Sequence, residues 1–203
     1  QPIKEKYLLS SSLEKTNEAY ALAKIVGLKM CEYYNQQYKK SYFTLMPCNL
    51  YGPNDNFDLK NSHFIPALIK KIIHSKIKNK RSIEIWGTGK PKREVMHVDD
   101  LSSAIYFLIK KKLNNNKLLL NYLKKSSLIN VGSRNEYTIK QYAILITKLV
   151  ENKYKLVFNK SYPDGTKRKI LDNSFMKKLG WKPKISLYKG LSDTIKWYKN
   201  NYL

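Results

Sequence analysis

The sequence predicts an α/β protein, and three observations point there. Segments with apolar residues at helical spacing alternate along the chain with short runs of β-branched and aromatic residues, the pattern of strands joined by helices. Of 203 residues, 42% are hydrophobic and 12% aromatic, enough for a buried core and too apolar for a disordered polycation. The length suits one domain of ordinary core size or part of a larger one.

Residues 1–15 read as a polar loop, and residues 1–6 (QPIKEK) contain no apolar signal-peptide region. The chain does not begin with Met, so a fragment is expected. Thr16 or Asn17 caps a helix running to about Tyr38. Its Leu22, Ile25, Val26, Met30 and Tyr33 are spaced for a buried stripe. Residues 42–46 read as a strand stopped by Pro47, and residues 48–62 as a loop rich in Asn, Gly, Pro and Asp. A second helix is predicted over 64–76, then a short strand over 83–86 with a Gly87-Thr88-Gly89 turn behind it. Asp99 or Asp100 caps a helix over 99–112, and the Lys- and Asn-rich residues 113–127 read as the most flexible loop. Residues 128–132 form a strand, Thr138 caps a helix to about Glu151, and residues 154–158 form another strand. A polar loop over 159–170 contains Pro163-Asp164-Gly165, and helices close the chain over 173–179 and 187–200.

The formal charge of +24 raises the question of a polyanionic partner. The basic residues are 35 Lys and only 4 Arg (Arg81, Arg93, Arg134, Arg168). Lys, Asn, Ile and Tyr, all with A/T-rich codons, together make 87 of the 203 residues, which marks the charge as compositional. A nucleic-acid binder uses the Arg fork to grip phosphate and guanine, and here the Lys are dispersed with no long basic tail. No nucleic-acid partner is therefore expected. No apolar run approaches the roughly 18 residues of a membrane span, so no membrane partner is expected either. Cys31 and Cys48 are the only cysteines, which fits a reducing, cytoplasmic compartment. Three His and two Cys show no metal-ligand spacing, and there is no G-x-S-x-G nucleophile elbow.

Four constellations carry candidate chemistry. Tyr20 and Lys24 stand at i and i+4 on one helix face. An ammonium beside a phenol favours the phenolate, which suits proton exchange with a carbonyl or alcohol; a surface Tyr–Lys pair is the plainer alternative. Residues 48–53 (CNLYGP) follow a strand, where open parallel sheets bind ligands, although an ordinary turn reads the same way. In residues 93–100 (REVMHVDD), His97 reads as structural, while Arg93 suits bidentate grip of a phosphate. His63 opens a helix, where it serves either as an acid/base or as a hydrogen-bonded structural residue.

In this order and spacing, five segments resemble the extended short-chain dehydrogenase/reductase family: residues 16–24 (TNEAYALAK), 46–57 (MPCNLYGPNDNF), 61–68 (NSHFIPAL), 86–100 (WGTGKPKREVMHVDD) and 163–172 (PDGTKRKILD). Residues 179–181 (LGW) and the closing helix match as well. The His63 and PDGT segments resemble the GDP-L-fucose synthase branch, which epimerises C3 and C5 of GDP-4-keto-6-deoxymannose and reduces C4. The resemblance implies the C-terminal part of an NAD(P)-binding Rossmann fold plus a smaller α/β substrate-binding domain. Residues 1–50 would belong to the Rossmann part and residues 51–203 to the substrate domain, with elements near 95–131 returning to the Rossmann sheet.

The resemblance also implies roles. Tyr20 is the proton donor in carbonyl reduction, Lys24 holds the nicotinamide ribose and tunes Tyr20, and His63 is an acid/base in epimerisation. Lys24, Pro47, Cys48, Asn49, Leu50 and His63 line the NADP(H) site. Lys71, Trp86, Arg93 and Asp164 contact the GDP-sugar. Lys71 stands where the family has an Arg, keeping the charge without the fork, and Cys48 stands where it has a Thr. The helix of Tyr20 and Lys24 packs in a homodimer in the family. The family's Gly-rich pyrophosphate loop, its catalytic Ser and the Cys that works with His63 precede the equivalent of residue 1. The eight glycines here contain no G-x-x-G-x-x-G, so a chain inactive by itself is expected. Alternatives are another nucleotide-sugar epimerase or dehydratase of the extended family, a basic nucleic-acid-binding module, and a non-catalytic dimerising remnant.

Overall fold

The computed structural model describes residues 1–203 apart from Lys60, Asn152 and Tyr154, and apart from the side chain of Thr16. Helices and strands alternate, and the chain divides into two units. The first comprises residues 1–48, 101–134 and 170–183; the second comprises 49–100, 135–169 and 184–203.

In the first unit, helix α1 (Glu18–Tyr38) leads to strand β1 (Thr44–Pro47). In the second, strand β2 (Asn49–Tyr51) is followed by α2 (Phe64–Ile77), β3 (Ser82–Trp86) and β4 (Lys92–His97). Helix α3 (Val98–Leu113) crosses the division, and α4 (Lys117–Leu123) and β5 (Leu128–Val131) belong to the first unit. Strand β6 (Glu136–Thr138), α5 (Ile139–Leu149), β7 (Lys155–Asn159) and β8 (Arg168–Lys169) return to the second. Helix α6 (Ser174–Leu179) lies in the first and α7 (Leu187–Tyr202) in the second.

The first unit is built on parallel β1 and β5, in register from Thr44↔Leu128 to Pro47↔Val131. All four residues of β5 are buried, so they read as a continuous apolar run interrupted only by Asn130. The buried Asn130 amide is fully engaged: Nδ2 donates to the carbonyls of Ile3 (2.9 Å) and Asp172 (3.2 Å), tying two distant segments to the strand. Residues 113–127, expected as a flexible loop, contain α4 instead. Asn116 Oδ1 caps it by accepting from Leu119 N at 3.0 Å, and Leu119 is fully buried. Tyr122 stacks on Phe175 at 3.7 Å and donates its hydroxyl to Leu128 O at 2.7 Å. The Asn-rich run marks a helix cap as much as a loop.

The stripe expected to bury α1 is mostly exposed, with Ile25 alone of its residues half-buried. Leu22, Val26, Met30 and Tyr33 are 48%, 56%, 54% and 61% accessible, and Leu28 is the helix's buried residue. Asn17 stands at the N-cap without a side-chain bond, and the Thr16 side chain lies outside the described residues.

Among the described residues, the second unit has two sheets. Strand β4 pairs with β2 (parallel), β6 (antiparallel) and β8 (parallel), and β3 pairs with β7 in parallel. Strands β2, β4, β6 and β8 fall in segments read from sequence as loop or left unassigned; three of them are three residues or shorter. The strand predicted over 154–158 is β7, with Tyr154 outside the described residues. One core is shared by α2, α5, α7 and both sheets. Ile65, Ile69, Ile72 and Ile73 of α2 meet Tyr142, Ala143 and Ile146 of α5 and Leu191, Ile195 and Tyr198 of α7. Each fully buried Ile contributes about 1.5–3 kcal/mol of transfer free energy. Helix α5 begins with a capping box: Thr138 Oγ1 accepts from Gln141 N at 3.1 Å, and Gln141 Oε1 accepts from Thr138 N at 2.8 Å.

Asp99 and Asp100 lie inside the first turn of α3 rather than ahead of it. Asp100 is buried, and its carboxylate accepts from the backbone of Lys184 (2.8 Å) and Ile185 (3.1 Å), holding the approach to α7. Replacing Asp100 with Ala leaves buried donors unsatisfied and is expected to cost about 2–4 kcal/mol of unfolding free energy in urea titration. Asp100→Asn, which keeps an acceptor oxygen, is expected to cost less.

Candidate active site

The sequence-predicted site residues fall into two sets, one in each unit. In the first unit, Tyr20 and Lys24 lie one turn apart on α1, both exposed. The Lys24 ammonium sits over the phenol ring, 5.4 Å from its centroid. Pro47 closes β1 at its carboxyl end, exposed to solvent. Cys48 follows, buried, with its backbone N–H donated to Val131 O at 3.0 Å, so the chain stays extended beyond the strand. Cys31 and Cys48 are both thiols.

In the second unit, Asn49 and Leu50 are half-buried on β2, paired with Val95 and Met96. His63 takes the N-cap position of α2 in extended conformation (φ −64°, ψ 163°). Its ring is exposed and caps nothing, leaving it available to a ligand. His97 behaves as a structural residue. Its ring is buried edge-on against Tyr51 at 5.5 Å, and Nδ1 accepts from Asp99 N at 3.2 Å.

The other predicted residues gather around the carboxyl ends of β3 and β7. Trp86 is the last residue of β3, 54% exposed, and the Lys71 ammonium on α2 lies 4.8 Å from its ring centroid. Burial pushes the Lys71 pKa down, with Glu84 opposing the shift. Gly87 follows at φ 79°, where a side chain would strike the Asp164 carboxylate. That carboxylate is clamped by Thr88, whose N–H donates to Oδ1 at 2.8 Å and whose hydroxyl donates to Oδ2 at 2.6 Å. These bonds, the hydroxyl first, hold the Asp164 carboxyl below the usual carboxylate range. Arg93, half-buried on β4, donates through Nη1 to Lys92 O at 2.9 Å and Thr166 O at 2.5 Å. Burial lowers its pKa, with Asp164 opposing.

Sequence reading missed two residues here. Thr88, the clamp, was read only as part of a turn. Tyr162 stacks on Trp86 with centroids 4.4 Å apart and planes 13° from parallel. No spacing rule relates residues so distant in the chain.

Of the residues that the resemblance assigns to NADP(H), those in the first unit supply an exposed ammonium beside a phenol and extended backbone past the end of a parallel strand, groups chemically suited to a ribose. They do not include a pyrophosphate cradle, since none of the eight glycines forms a Gly-rich strand-to-helix turn.

Residues 1–122 match the NAD dependent epimerase/dehydratase family. The whole chain is 46% identical over 203 residues to a probable GDP-L-fucose synthase of Oryza sativa subsp. japonica, covering 58% of that protein. It is 45% identical over 201 residues to the GDP-L-fucose synthase of Escherichia coli (strain K12), covering 62% of it. The fold superposes on a GDP-D-glycero-L-gluco-heptose synthase from Campylobacter jejuni, solved in the presence of NADPH, with a TM-score of 0.85 and 34% identity. That match covers 98% of this chain and 65% of the other. The chain therefore spans about three fifths of the length of these relatives.

The clamp on Asp164 makes a testable statement. Because the folded carboxyl titrates below its unfolded value, the contact is present above the ordinary carboxylate range and is lost as pH falls through the depressed value. Carboxyl-carbon NMR should find Asp164 titrating low. Thr88→Val, which removes the hydroxyl but keeps the backbone donor, should move it partway back up.

Proposed function

Because the chain belongs to the NAD dependent epimerase/dehydratase family, we propose that it is the part of a GDP-L-fucose synthase that carries the proton-transferring residues and the GDP-sugar contacts. The observation that carries this reading is identity of 45–46%, across essentially every residue, to two proteins of that name. NADP(H) as cofactor is supported by the relative solved in the presence of NADPH. When bound, it supplies the hydride for C4.

Protons at C3 and C5 of a 4-keto sugar are acidic because the carbanion is stabilised as an enolate. The His63 ring, exposed at a helix start, takes such a proton as a base and, once it carries that proton, returns it as an acid. Tyr20 delivers the proton to the C4 oxygen as the carbonyl is reduced, and the adjacent Lys24 ammonium stabilises the phenolate left behind. Lys71 and Arg93 neutralise the diphosphate; Lys71 does so as a point charge, without a fork. Asp164, kept ionised by Thr88, accepts from a sugar or base donor.

This reading takes the protein as cytoplasmic, homodimeric and without a nucleic-acid partner. In its support, no helix of the described residues is long and apolar enough to cross a membrane. Several lysines are engaged within the molecule, among them Lys76 with Val150 O and Lys112 with Ser41 O. A second reading, a reductase or epimerase of a related GDP-sugar such as a GDP-heptose, is favoured by the fold match to the heptose synthase.

A protein in which this sequence follows a Gly-rich dinucleotide-binding unit should oxidise NADPH with GDP-4-keto-6-deoxymannose and release GDP-fucose. No oxidation with that substrate, but oxidation with a GDP-keto-heptose, decides for the second reading. In the same protein, Tyr20→Phe should lower turnover about 10²–10⁴-fold. His63→Asn should reduce solvent deuterium incorporation at C3 and C5 more than it reduces hydride transfer. The 203-residue chain alone should show no turnover.

A further inference from the structure

We propose that Tyr162 is a specificity-determining residue of the GDP-sugar site: its ring, backed by a face-to-face stack on Trp86, is the platform on which the purine base stacks, giving a preference for purine over pyrimidine nucleotides. The proposal rests on the reading of this unit as a GDP-sugar site.

The position of Tyr162 is set at both ends of its loop. On one side, Asn159 is the register partner of Trp86, and its carbonyl accepts from Gly87 N at 2.8 Å. The Asn159 amide donates to Glu84 Oε1 at 2.5 Å, while its Oδ1 accepts from Ser161 N (3.0 Å) and the Ser161 hydroxyl (2.7 Å). On the other side, Asp164 is clamped to Thr88 by two hydrogen bonds. Between them, Pro163 fixes its own φ and disfavours helical backbone at Tyr162. Four hydrogen bonds thus anchor a short segment to the end of β3 and the turn behind it, and the ring it delivers lies nearly parallel to Trp86.

The pair is not part of a core. Trp86 is 54% and Tyr162 40% exposed, so two large rings are ordered yet left open to solvent. Exposed, pre-organised aromatic surface is what a nucleobase stacks on, at little ordering cost to the protein. The flanking charge suits the rest of a nucleotide. The Lys71 ammonium is 4.8 Å from the Trp86 ring, and the Arg93 guanidinium lies against the far end of the loop at Gly165 and Thr166. A neutral flat base with an anionic diphosphate matches an aromatic face backed by a second ring, with two cations close by.

The test titrates GDP and UDP into the 203-residue chain and follows Trp fluorescence, with Trp86→Phe identifying the reporting ring. GDP should bind more tightly than UDP. Tyr162→Ala should weaken GDP by about 5- to 150-fold, the range for loss of one base–aromatic stack, and UDP by a smaller factor, because a pyrimidine overlaps the ring less. Tyr162→Phe, which keeps the ring, should stay within about 2-fold of the parent for GDP. If Tyr162→Ala leaves GDP affinity unchanged while Arg93→Ala abolishes it, the GDP-sugar reading stands and the platform is refuted. Equal loss for both nucleotides also overturns the proposal, because Tyr162 then only holds the loop. Absence of GDP binding by the parent chain defeats the GDP-sugar reading itself.

Discussion

Parallel pairing of β3 with β7, in register from Ser82↔Lys155 to Trp86↔Asn159, decides where the second unit can place its chemistry. Parallel strands end on the same side, so the segments leaving them emerge next to each other. The turn after Trp86 and the loop after Asn159 therefore face one another from the start, and only short side chains are needed to join them. Thr88 and Asp164 make that join, and Gly87 makes room for it. Gly89 serves similarly at φ 72°, where a side chain would run into the Phe158 ring. Removal of the strand register would separate Lys71, Trp86, Tyr162 and Asp164 without changing any of them.

The charge of the chain gains a different meaning beside this geometry. Most positive groups are lysines on solvated faces, consistent with a compositional origin. Two of the four arginines occupy positions where the planar fork is used. Arg93 Nη1 reaches two carbonyls. Arg168 holds the Glu136 carboxylate with Nε (2.9 and 2.8 Å) and Nη2 (2.7 Å), joining β8 and β6 on either side of β4. A lysine ammonium at either place has the charge but not the directed pair of donors.

Much of the fold was legible in the sequence because local signals and tertiary structure agreed. The helix expected over 64–76 is α2, and Thr138 as a cap located α5. The failures have physical causes. Strand β4 carries Lys92, Arg93 and Glu94 and shows no apolar alternation at its start; it is a strand because three neighbours bond to it, which only the folded chain supplies. Helix α1 was recognised, but periodicity reports which residues share a face, not what covers it, and here Leu22, Val26 and Met30 are left in solvent. Of the candidate site, residue identities were legible from motif resemblance, whereas the stack of Tyr162 on Trp86 depends on strand register and was not.

The division of the chain has a consequence for how the molecule is made. Each unit is assembled from three segments interleaved with those of the other. The pairs β1–β5 and β3–β7 both join strands far apart in sequence. Their loop-closure entropy must be overcome before the contacts stabilise anything, which places the protein among high-contact-order, slow folders. The second unit's core also needs Leu191, Ile195 and Tyr198 from α7. During synthesis, the core that α2, β3 and α5 begin therefore stays incomplete until α7 has been made, and part of its apolar surface is open to chaperones that hold such segments.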